Sequence, residues 1–186
     1  MFLIKNIWVS ILIPLVTGTI QYKKLSKSLK FIYWYIVFGF LSELTNRFFI
    51  YTLELKNTMF VGHIYISVAF LIAGLFYLHE LKGFFKPRLI IGIIAAYELF
   101  CLHNVLFFQS FRDFPSIPGA ISSLLLIAFS VLLFTKIMKE GKIKVLTKSP
   151  VVWINTAVLF FLQVTFSITR FTISYSAIRL NFQYAL

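Results

Sequence analysis

The chain has 186 residues, of which 60% are hydrophobic and 13% charged, and its mean hydropathy is +0.90. Soluble domains carry about 25% charged residues, so this composition excludes an ordinary soluble enzyme or binding module and marks an integral membrane protein. The net charge of +12 would fit nucleic acid if the cations lined one groove, but they gather beside apolar runs, which points to membrane loops and away from nucleic acid.

Apolar runs near the ~20 residues that cross a ~30 Å hydrocarbon core predict an all-α, polytopic transmembrane helical bundle of six helices. They run from Phe2 to Ile20, Phe31 to Leu53, Met59 to Leu78, Leu89 to Phe108, Ala120 to Ile137 and Val151 to Thr169, in a single domain over 1–186. The first reads as a retained anchor, because the basic stretch QYKKLSKSLK follows it; Pro14 inside it predicts a kink. ELKNT, 54–58, predicts a tight turn between the second and third helices. Pro115, Pro118 and Gly119 predict a broken start before the fifth, and Pro150 fits the first turn of the sixth, where no donor is lost. The stretch after Thr169 is amphiphilic and reads as an outer interfacial segment; a seventh helix, incomplete at the C-terminus, is the competing reading.

Lysine and arginine near span ends bias a loop toward the cytoplasm. They are concentrated in 21–30, 79–88 and 138–150, so these loops are expected to be cytoplasmic and the N-terminus outside, in a multi-pass protein of the inner (plasma) membrane. The expected partners are the lipid bilayer and anionic lipid head groups at those loops, with a protein partner or a second copy of the chain in reserve.

Charged groups at mid-membrane are costly, about 2.5 to 3.5 kcal/mol on insertion scales, and so mark structure or function. In FLSELTNRFF, residues 40–49, Glu43, Asn46 and Arg47 fall on one helical face, with Arg47 one turn from Glu43 and placed to neutralise it. Glu98 lies in a helix running the same way, at a similar distance from the basic end, so the two carboxylates are expected to share a level. Glu98 has no basic neighbour three or four residues away; it needs a partner from another helix or a proton on its carboxyl. His63, His103 and Asn104 fall toward the outer side, and Asn155, Gln163 and Arg170 mark the inward stripe of the sixth helix. The expected binding set is therefore Glu43, Arg47, Glu98, His63, His103 and Gln163.

The chain carries no HExxH, GxSxG or phosphate-binding glycine loop, and Cys101 is its only cysteine. His79 falls at the opposite membrane face from His63 and His103, which argues against a three-histidine metal site; no metal, cofactor or catalytic residue is expected. The basic first loop and the Pro-Val-Val-Trp start of the sixth helix, 150–153, resemble small bacterial inner-membrane proteins of six or seven helices, some of them similar to stand-alone sensor modules. That resemblance is one of layout and implies no functional residue. The polar groups themselves point to binding or transport of a small solute or ion, with a membrane sensor or assembly module as the alternative and an intramembrane enzyme as the third.

Overall fold

A computed structural model describes residues 11–141 and 149–160, and these are helical apart from short connections. The chain divides into two compact units, Met1–Phe114 and Pro115–Leu186. The first holds α1 (Leu12–Gln21), a 3₁₀ turn at Tyr22–Lys24, α2 (Lys27–Tyr51), α3 (Met59–Glu80) and α4 (Pro87–Phe107); the second holds α5 (Ser116–Glu140) and α6, described over Pro150–Phe160. The architecture is an all-α helical bundle, as composition and apolar run length require.

The starts of α2, α3 and α4 have local causes. Ser26 caps α2 by accepting from the Leu29 amide at 3.4 Å, which satisfies one of the amides left open in a first turn. Between α2 and α3, the side chain of Asn57 accepts from the Met59 amide at 2.9 Å and so starts α3 directly after the turn. Gly83 sits at φ 85°, a left-handed conformation that a side chain resists, and it lets the chain double back while the Phe84 and Phe85 amides both return to the Leu81 carbonyl. Pro87 then opens α4, in a position that requires no amide donor.

The helices of this unit pack in sequence, with the most extensive contact between α2 and α3, followed by α3 with α4 and α1 with α2. Pairs along the α2–α3 seam fix an antiparallel register: Ser28 meets His79, Phe38 stacks on Tyr65, and Phe49 lies against Phe60. The α3–α4 seam is antiparallel too, through Ser67 with Glu98, Phe70 with Tyr97 and Gly74 with Ile94. At Gly74 the backbones come close: a Cβ built there would lie 2.7 Å from Ile94 Cδ1, so the missing side chain is what admits Ile94. α1 uses the same device, since a Cβ on Gly18 would lie 2.7 Å from a ring carbon of Tyr33.

In the second unit α5 starts at Ser116, four residues before the expected Ala120, and runs to Glu140. Pro118 and Gly119 therefore lie inside its first turn and do not break it. Pro118 is tolerated there because first-turn amides have no intrahelical acceptor, and the Gly119 amide already closes onto the Pro115 carbonyl at 3.1 Å. Gly141, at φ 57°, ends the helix in the left-handed conformation common after a C-terminus. Pro150 begins α6, as the sequence indicates.

Among the described residues, α3, α4 and α5 are the helices long and apolar enough to cross a membrane. The sequence reading expected six. α2 has the length, 25 residues or roughly 37 Å, but Glu43, Asn46 and Arg47 lower the apolar content of its second half. The span expected over Phe2 to Ile20 lies partly outside the described residues, as does the one over Val151 to Thr169; the Pro14 kink depends on that first part. The tail beyond Thr169 lies wholly outside them.

Candidate functional site

α3 organises the polar groups because its two buried faces look at different neighbours. Phe60, Tyr65 and His79 address α2, whereas Ser67, Phe70 and Gly74, spaced three and four apart, form the single face that meets α4.

Glu98 lies on the α4 side of this partition. Ser67 donates from Oγ to Glu98 Oε2 across the helix interface, which supplies the interhelical partner that the sequence demanded. The other carboxyl oxygen, Oε1, is inaccessible and has no hydrogen-bond partner among the described residues. Tyr97, next to Glu98 in the chain, is buried against Phe70 of α3 with ring centroids 3.9 Å apart. An oxygen enclosed in this way gains from a proton or a small cation, since a buried acceptor with no partner costs about 1–3 kcal/mol.

Glu43 lies on the α2 side. Its Oε1 accepts from Arg47 Nε at 2.8 Å, the i,i+4 ion pair read from the sequence. Both side chains stay about one-third exposed, 31% for Arg47 and 35% for Glu43, and the neighbouring Asn46 Oδ1 is buried without a partner among the described residues. Each carboxylate thus has its own partner, Glu98 on the neighbouring helix α3 and Glu43 one turn away within α2.

The remaining expected residues divide. His63 is buried at the start of α3, its Nε2 donating to the Asp113 carbonyl at 2.9 Å and its ring edge-on to Phe111. It fastens the segment after α4, with Asn57 donating to the Arg112 carbonyl at 2.8 Å and Asn104 donating to Gln109 Oε1 at 2.9 Å. His103 sits on an exposed face of α4 beside the rings of Phe107 and Phe108, 4.8 and 5.4 Å away, and it does not join His63. Gln163 and Arg170 lie outside the described residues. Asn155 is fully buried in the second unit, where its side chain donates to the Ser130 carbonyl at 3.0 Å and Ser130 Oγ donates back to the Asn155 carbonyl at 3.3 Å.

Sequence reasoning missed two participants. Ser67 is one polar residue in an apolar helix, and its hydroxyl could have been satisfied by its own backbone, so nothing but the α3–α4 register identifies it as the partner of Glu98. The second is a bond of 2.8 Å between Ser28 Oγ and His79 Nδ1, which ties the start of α2 to the end of α3. His79 looked like an ordinary helix-terminal residue, and the available signal was Ser28, a small polar group between Lys27 and Lys30 at a helix start. Among the described residues, no three His, Cys, Asp or Glu side chains lie close enough together to hold a metal ion.

These features define a class: an all-helical bundle with apolar helices long enough to span a bilayer and a few polar side chains bonded across their seams. The chain matches no known protein family, no curated protein and no solved structure.

Proposed function

We propose that the protein is a multi-pass membrane protein that binds, and passes across the bilayer, a proton or small cation at Glu98. The observation that carries this reading is the Glu98 carboxyl: set in an apolar helix, held by Ser67 through one oxygen, and presenting a second oxygen that is enclosed and has no partner among the described residues. Titratable carboxyls at such depth are the usual carriers of coupled protons. Glu43 and Arg47 form a separate ion pair on α2 in this reading, and His63 secures the outer segment.

Six membrane-crossing helices are proposed, with 21–30, 79–88 and 138–150 on the cytoplasmic side of a bacterial inner membrane and the N-terminus outside. Two contacts support that arrangement. Ser28 with His79 brings the first and third loops to one end of the first unit, and Asn57 with the Arg112 carbonyl joins the second and fourth at the other.

A second reading, a sensor or assembly module without transport, draws on Glu43 and Arg47, which satisfy one another and still leave a third of each side chain open to a partner helix. Reconstituted vesicles loaded with a pH-sensitive dye discriminate. The transport reading expects a proton or cation flux that is lost in Glu98→Gln and kept in Glu43→Gln; flux unchanged in a normally inserted Glu98→Gln variant would end it. A partner crosslinked in native membranes, with no flux from either protein, would favour the module.

A further inference from the structure

At the end of the first unit where Ser28 meets His79, two basic segments that are 50 residues apart in the chain become one surface. We propose that this surface is a single docking site for the phosphate-bearing head group of an anionic phospholipid, built jointly by the segment before α2 and the turn between α3 and α4. The proposal rests on the membrane reading and is independent of Glu98.

Lys23, Lys27 and Lys30 come from the first segment, and Lys82, Lys86 and Arg88 from the second. Glu80 is the only acidic residue in 21–30 or 79–88, so the end carries a strong excess of positive charge. Positive loops alone would serve to orient spans, but four features here go further. The Ser28 hydroxyl is 2% exposed and bonded to the imidazole of His79, which fixes the separation of the two segments instead of leaving them as independent tethers. Tyr22, Tyr33 and Trp34 form a connected aromatic ledge, with centroids 5.1 and 5.8 Å apart and the indole N–H donating to the Tyr22 hydroxyl at 3.3 Å. Lys30 Nζ is held 5.1 Å over the Tyr22 ring. The α3–α4 turn is itself fixed, folded around a fully buried Leu81.

The chemistry of the occupant follows from this placement. Amphipathic aromatics sit at head-group depth, and α3 and α4, both apolar enough to span, meet this end at the turn that carries Lys82 and Lys86. An anion at this level must be compatible with the boundary between hydrocarbon and water, as a phospholipid phosphate is. Acyl chains would lie along the exposed apolar side chains of α4, such as Leu89 and Ile91, while the phosphate takes ammonium and guanidinium donors from both segments.

The test uses the full chain extracted into nanodiscs from vesicles of equal phosphatidylglycerol and phosphatidylcholine, with retained lipid counted by native mass spectrometry. Retention of phosphatidylglycerol over phosphatidylcholine is expected, falling roughly fivefold for each of Lys30→Gln and Lys86→Gln. Ser28→Ala and, as a second route from the α3 side, His79→Ala both leave the lysines and the Ser26 cap untouched; each is expected to reduce the preference at least about twofold by uncoupling the segments. Equal retention of the two lipids by the wild type would overturn the proposal. So would lysine variants that lower the preference while both uncoupling variants leave it unchanged, since that is the signature of diffuse charge. Wild-type protein missing from the membrane fraction would overturn the membrane reading, and this site with it.

Discussion

Replacing Ser67 with alanine tests the Glu98 centre through stability, independently of flux. In the native bundle one carboxyl oxygen accepts from Ser67 and the other is enclosed without a partner, so Ser67→Ala leaves the whole carboxyl unpaired between α3 and α4. Stranding a buried polar group costs about 1–3 kcal/mol, while interhelical hydrogen bonds in membranes average about 0.6 kcal/mol and reach about 1.7. The loss is therefore expected at about 1–2 kcal/mol. If Glu98 is first replaced by alanine, nothing remains to be stranded, and adding Ser67→Ala should cost less than about 0.5 kcal/mol. The coupling between the two substitutions is then about 1 kcal/mol, read from a double-mutant cycle of reversible unfolding in mixed micelles followed by tryptophan fluorescence. A Ser67→Ala cost that is the same in both backgrounds would show that the hydroxyl does not serve the carboxyl, and the proposed centre would lose its geometric basis.

Three further outcomes follow from other parts of the bundle. Gly74→Val should destabilise the first unit by about 1–3 kcal/mol in the same unfolding assay, because even a Cβ meets Ile94 at 2.7 Å; pairing it with Ile94→Ala should recover part of the loss. Asn155→Ala removes a fully buried side chain bonded to the Ser130 carbonyl, and a loss of about 1–2 kcal/mol is expected from the hydrogen bond and the space it leaves. His63→Ala releases the Asp113 carbonyl, so limited proteolysis within 108–114 should accelerate several-fold in detergent with little change at 81–86.

The helices were legible because each is a long apolar run, and Pro150 marked a first turn; the starts of α2 and α4, expected at Phe31 and Leu89, fall earlier, where Ser26 caps one and Pro87 opens the other. Glu43 and Arg47 were legible because a spacing of four residues determines their contact without reference to any other helix. The need of Glu98 for a partner on another helix could be read as well, but not the partner. Ser67 becomes its neighbour only when Gly74 lets α4 approach and sets the register. Pro118 and Gly119 misled because their intrinsic tendency to break helices is harmless in a first turn, which the exact start of α5 decides.

The uneven polarity of α2 and α3 bears on how the chain is made. In a bilayer α3 can partition on its own apolar content, but α2, with Glu43, Asn46 and Arg47 in its second half, gains much less by leaving water. Its seam with α3 is the most extensive among the described helices, and only the short stretch 52–58 separates the two. During synthesis the segment that most needs help to enter the membrane therefore precedes its helper by a single turn. On the six-span topology proposed above, the economical order is for α2 to wait at the translocon until α3 emerges and for the pair to enter as one hairpin. Lengthening 52–58 would put that delay, and not the finished packing, at risk.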